Sequence, residues 1–90
     1  MKAQIASEVK TFEHIPNIGP AMTKDFLFLG LKTPQDLKHW DPLKLYQTLC
    51  EKTGQRHDPC VLDTFMAAID FMNGAPARPW WDYTEERKRK

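Results

Sequence analysis

Three dipeptides, Thr33-Pro34, Asp41-Pro42 and Asp58-Pro59, each place a helix-capping residue directly before a proline. Proline has no N–H and a preset helical φ, so it suits the first helical position and breaks a helix elsewhere. Thr and Asp carry oxygens that accept from first-turn amides. Gly30, Gly54 and Gly74 stand where helices should stop. This punctuation allows the chain little but short helices. Between the signals, apolar residues recur at helical spacing. Phe26, Leu27 and Leu29 fill a helix over about 20–29. Leu45, Tyr46, Leu49 and Cys50 mark one face of about 42–53. Val61, Leu62, Phe65, Ile69 and Met72 mark one face of about 59–73. Pro34 opens a short connector over 34–39, with Asp36 in the capping-box position. A first helix is expected over about 5–13, with Ile5, Val9 and Phe12 inward. No alternating apolar–polar run predicts a strand.

Ninety residues and 41% hydrophobic content describe one small folded unit rather than a disordered chain. Residues 1–75 are expected to form it, with an aromatic and basic tail over 76–90. No apolar run approaches a membrane span of about 20 residues, and no secretion signal is visible. Two cysteines make no disulfide framework. A cytoplasmic location with reduced thiols is expected. The formal charge of +1 conceals an asymmetry. Residues 85–90 hold four of the 13 cations and two of the 12 anions, which leaves nine cations against ten anions elsewhere. The folded part therefore lacks the overall basic excess of a tight nucleic-acid binder.

Residues Ile15–Thr23 read Ile-Pro-Asn-Ile-Gly-Pro-Ala-Met-Thr. This is a tight turn that opens into a helix at Pro20. Asn17 and Gly19 are residue types that tolerate positive φ. Free N–H groups at a helix N-terminus attract anions. The spacing resembles the helix-hairpin-helix motif, which holds a nucleic-acid phosphate on such a turn, with Asn17 in place of the first glycine. On this reading the Ile18, Gly19, Ala21 and Met22 amides would hold phosphate, with Lys24 one turn further on. Lys32 borders the same face. A plain helix–helix turn is the alternative. A branched residue at Gly19 is expected to force the turn. The second turn, Gly54–Asp58, departs from the motif, because Asp58 is expected to cap its own helix and repel phosphate.

At whole-chain level, several segments together resemble one family: Ile15–Pro20, Gly30–Leu37, Asp41–Tyr46, Arg56-His57-Asp58-Pro59-Cys60-Val61-Leu62-Asp63 and Pro79-Trp80-Trp81. They are similar to the bacterial pathogenicity-locus family, some members of which carry a mitomycin-resistance label. The resemblance covers roughly residues 10–84. It implies an all-α, five-helix, double helix-hairpin-helix bundle of the SAM-like kind. The second hairpin would be degenerate and the C-terminal tail aromatic.

Cys50, His57 and Cys60 are the candidates for metal or thiol chemistry. Their spacing fits no standard zinc finger, and a fourth ligand would have to come from His39, His14 or Asp58. Both cysteines fall on apolar stripes, so buried, reduced and metal-free thiols are expected. Neither an enzyme nor a cofactor is expected. Arg56 and His57 are a possible second site, with Arg56 alternatively bridged to Asp63 or Asp58. Trp40 is expected to plug the core. Trp80, Trp81 and Tyr83 are expected to fold back on the last helix, and residues 87–90 to form a disordered basic end. The leading expectation is weak, sequence-independent DNA binding. The alternative is a protein-interaction adaptor using the second turn or the Trp tail.

Overall fold

The computed structural model describes residues 2–88. All of its regular structure is helical, with no strand among the described residues. Four α-helices run α1 (Pro20–Phe28), α2 (Pro42–Thr53), α3 (Pro59–Met72) and α4 (Thr84–Lys88). Short 3₁₀ segments at Pro34–His39 and Trp80–Tyr83 fill two of the connections. The proline starts hold: the Asp41 carboxylate accepts from Lys44 N at 3.1 Å, and the Asp58 carboxylate from Cys60 N at 2.9 Å. At the 34–39 segment Asp36 accepts from the Lys32 and Thr33 amides at 2.8 and 3.0 Å. Those two bonds hold its carboxyl below the usual range. Gly30, Gly54 and Gly74 all adopt left-handed φ at the stops.

The helix expected over 5–13 is instead two 3₁₀ turns, Ala6–Glu8 and Phe12–His14. The Glu8 carboxylate accepts from Gln4 N at 2.8 Å, back across the first turn. Beyond it, the branched Val9 and Thr11 leave the helical region. Val9 and Phe12 still reach the core, but Ile5 lies exposed.

The core is built around α3. On one side Phe12, Phe26 and Phe65 form a ring series with centroids 5.1 and 5.4 Å apart. Ile15, Ile18, Leu37, Leu45 and Leu49 surround it, fully buried, and Trp40 is half-buried against this cluster. In α1 Phe26 is the one buried residue, with Met22 partly buried against the same cluster. Leu27 and Phe28 point to solvent, because a helix rotates about 100° per residue.

The single apolar face expected for α3 is also too narrow. Every residue from Asp63 to Ile69 is buried, because residues 80–88 cover the far side. There Tyr83 packs with Met66 and Ala67. Thr84 Oγ1 donates to Asp63 at 2.8 Å, and Arg87 Nε donates to the same fully buried carboxylate at 2.6 Å. Arg87, expected in a disordered end, is thus the ion-pair partner of Asp63 in place of Arg56. Arg89 and Lys90 lie outside the described residues.

Burial, reinforced by the nearby Asp70 carboxylate, pushes the Tyr83 phenol up to about 12. An unfolded chain ionises its tyrosine near 10. The stabilisation is therefore complete below pH ~10 and is lost as pH rises toward ~12, by about 2 kcal/mol. Urea midpoints measured across that window should fall for the wild type, and fall less steeply for Tyr83→Phe. Equal slopes would show that Tyr83 is not the titrating group.

Candidate nucleic-acid interface

The turn 15–19 is built by a single left-handed residue. Asn17 has φ 74°, whereas Gly19 is extended at φ −110°. Of the two residues that tolerate positive φ, only Asn17 adopts it. Asn17 also does what a glycine could not, since its Nδ2 donates to the Arg78 carbonyl at 2.8 Å. This bond ties the turn to the loop just ahead of the segment that covers α3. The Lys2 ammonium bridges this turn, donating to the carbonyls of Glu13, at 2.7 Å, and of Ile18. Nothing in the local sequence signals Lys2, because its partners lie 11 and 16 residues away.

Gly19 is the N-cap of α1 and supplies no side-chain cap. Pro20 has no N–H, and the Thr23 amide bonds to Gly19 O at 3.0 Å. Among the described residues, the Gly19, Ala21 and Met22 N–H groups meet no acceptor. The Ile18 amide is different: it donates to Ile15 O at 3.2 Å inside the turn, and the Ile18 side chain is fully buried. The remaining three amides carry the partial positive charge of the helix end, about half an elementary charge. A Cβ built on Gly19 would meet no atom within 4 Å, and its φ is ordinary. A branched side chain there would not force the turn, contrary to the expectation from sequence. It would obstruct only the approach from solvent. Lys24 is exposed one turn along the helix.

The second turn supplies its own carboxylate to the start of α3. Asp58 accepts from the Cys60 amide and thiol, which lowers its pKa. The same hydrogen bond, with burial second, raises the Cys60 thiol. A thiol held protonated is a poor nucleophile. Cys50 and Cys60 are free and only half-buried, not core residues as expected. Cys60 sits in the first turn of α3, beside its cap, and Cys50 in the last turn of α2. His57 Nε2 lies 2.9 Å from Thr53 Oγ1, its carbonyl accepts from Tyr46 Oη, and Arg56 is exposed. Among the described residues no three His, Cys, Asp or Glu side chains converge as a metal-ligand set. No described helix is long and apolar enough to cross a membrane.

The chain shares 47% identity over 73 residues with the mitomycin resistance protein McrB of Streptomyces lavendulae. That alignment spans 81% of this chain and 70% of the relative. No solved structure matches. The family model described as pathogenicity locus matches residues 5–89, nearly the whole chain, and the chain belongs to that family.

Proposed function

We propose that the chain is a non-catalytic DNA-binding module of the helix-hairpin-helix type. It holds a backbone phosphate on the Gly19, Ala21 and Met22 N–H groups, with Lys24 adding long-range attraction. One contrast carries this reading. α2 and α3 begin under an aspartate of their own, and α1 begins bare. A helix end without its own anion, open on the Gly19 side, suits an external one. Phosphate contacts carry no base information, so duplex sequence should matter little. With few cations nearby, binding should be micromolar or weaker and fall only gradually with salt.

Gly19→Asp tests this with two readouts of opposite sign. An aspartate N-cap should stabilise α1 by a few tenths to about 1 kcal/mol. It should also lower affinity for a short duplex by about tenfold or more, since an anion then occupies the site. Lys24→Glu should weaken binding without changing stability. Titration of the wild type with duplex DNA at low salt should shift the amides of residues 19, 21 and 22. Unchanged affinity in Gly19→Asp, or shifts confined to Arg87–Lys90, would overturn the proposal and leave the adaptor reading in its place.

A further inference from the structure

Two surface features outside the 15–19 turn each have the chemistry the other wants. The first is a groove of about 260 Å³ between α2 and α3. Its apolar walls are Leu43, Tyr46, Leu62 and Met66, with the prolines that open the two helices. The polar groups at its rim are Arg56 and Arg87, and no carboxylate lines it. Arg87 is already held by Asp63 at 2.6 Å, and the Tyr46 hydroxyl donates to His57 O. Arg56 has no carboxylate partner among the described residues. Small-molecule sites commonly measure about 300–1,000 Å³, so this groove suits one large side chain better than a whole ligand. The second feature is Trp81, 61% exposed and the barest large apolar residue described. Its indole is braced edge-on by Trp80 at 5.6 Å. The adjacent Asp82 carboxylate has only an exposed contact to Arg78 at 3.5 Å, which is cheap to exchange.

We propose that the partner for both features is a second copy of this chain. Trp81 of one copy enters the α2–α3 groove of the other, and Asp82 exchanges Arg78 for Arg56 at the rim. An indole is apolar along its body and is usually covered in a folded protein, and Met66 at the groove wall adapts readily to an inserted ring. A single anchor buries little area, so the dissociation constant should lie on the order of 0.1–1 mM. Reciprocal insertion gives a closed dimer, and one-way insertion an open series. The inference is independent of the phosphate reading, since neither Trp81 nor Arg56 belongs to the hairpin.

Sedimentation velocity of the full chain, from about 10 µM to about 1 mM with reductant present, tests it. The weight-average sedimentation coefficient should rise with concentration. Trp81→Ala and Arg56→Glu should each move that rise to at least about tenfold higher concentration, with unchanged circular dichroism. Adding Asp82→Arg to Arg56→Glu should bring association back, because reversed charges restore the pair. A wild type that stays monomeric throughout, association that survives either single variant, or no recovery in the reversed pair would each overturn the proposal.

Discussion

Phe26→Ala is expected to lower the unfolding free energy by about 4 kcal/mol. Phe26 is fully buried, and its ring lies between Phe12 and Phe65 at 5.1 and 5.4 Å. It is also the only residue within α1 that is buried. Truncation removes the ring's transfer free energy and leaves a cavity that rigid neighbours cannot fill. Folded domains of this kind have only about 5–15 kcal/mol in hand, so the variant should sit close to unfolding at 37 °C. Urea denaturation gives the measurement. A loss under about 1.5 kcal/mol would mean that α1 is held by something other than this ring series. Because Gly19 caps α1 and Ala21 and Met22 begin it, the same variant should also lose the phosphate binding proposed above.

Arg87→Met should cost about 3 kcal/mol, although it lies on a five-residue helix near the C-terminal end of the described chain. The reason is Asp63, which is wholly buried and would keep only the Thr84 hydroxyl. Removing one member of a buried pair strands the other's charge, whereas removing both restores much of the stability. The double variant Arg87→Met/Asp63→Leu should therefore be markedly more stable than the sum of the single effects predicts. For a domain of this size about 3 kcal/mol corresponds to a melting shift of roughly 12–24 °C, which calorimetry resolves easily. Additive single effects would show that Asp63 and Arg87 are not energetically coupled.

The legible parts of this fold were those in which a local residue carries the whole cause. A capping aspartate before proline needs nothing distant, so the starts of α2 and α3 follow from Asp41-Pro42 and Asp58-Pro59. Over 5–13 the spacing of Ile5, Val9 and Phe12 suits a helix, and two 3₁₀ turns bring Val9 and Phe12 inward just as well. The far side of α3 was illegible for a different reason. Its cover depends on pairings across 21 and 24 residues, Asp63 with Thr84 and with Arg87, and spacing rules do not reach that far. At the hairpin, the sequence points to Gly19 and the helix start at Pro20. Which amides stay free is a hydrogen-bond question, and Ile18 drops out through its bond to Ile15. The capped state of the other helix starts was nonetheless written in Asp41 and Asp58, and the contrast with Gly19 was readable.

The two-sided burial of α3 has a consequence during synthesis. A ribosome makes α3 before it makes Tyr83, Thr84 and Arg87. Until those residues are made, Met66, Ala67 and the Asp63 carboxylate lack the partners that cover them in the finished fold. A chain cut short before Tyr83 would keep that sticky face for good. It would look to chaperones and proteases like an unfolded protein, even with the phenylalanine series already in place. The segment 80–88 is therefore what separates a covered α3 from one with an apolar face and a carboxylate laid bare.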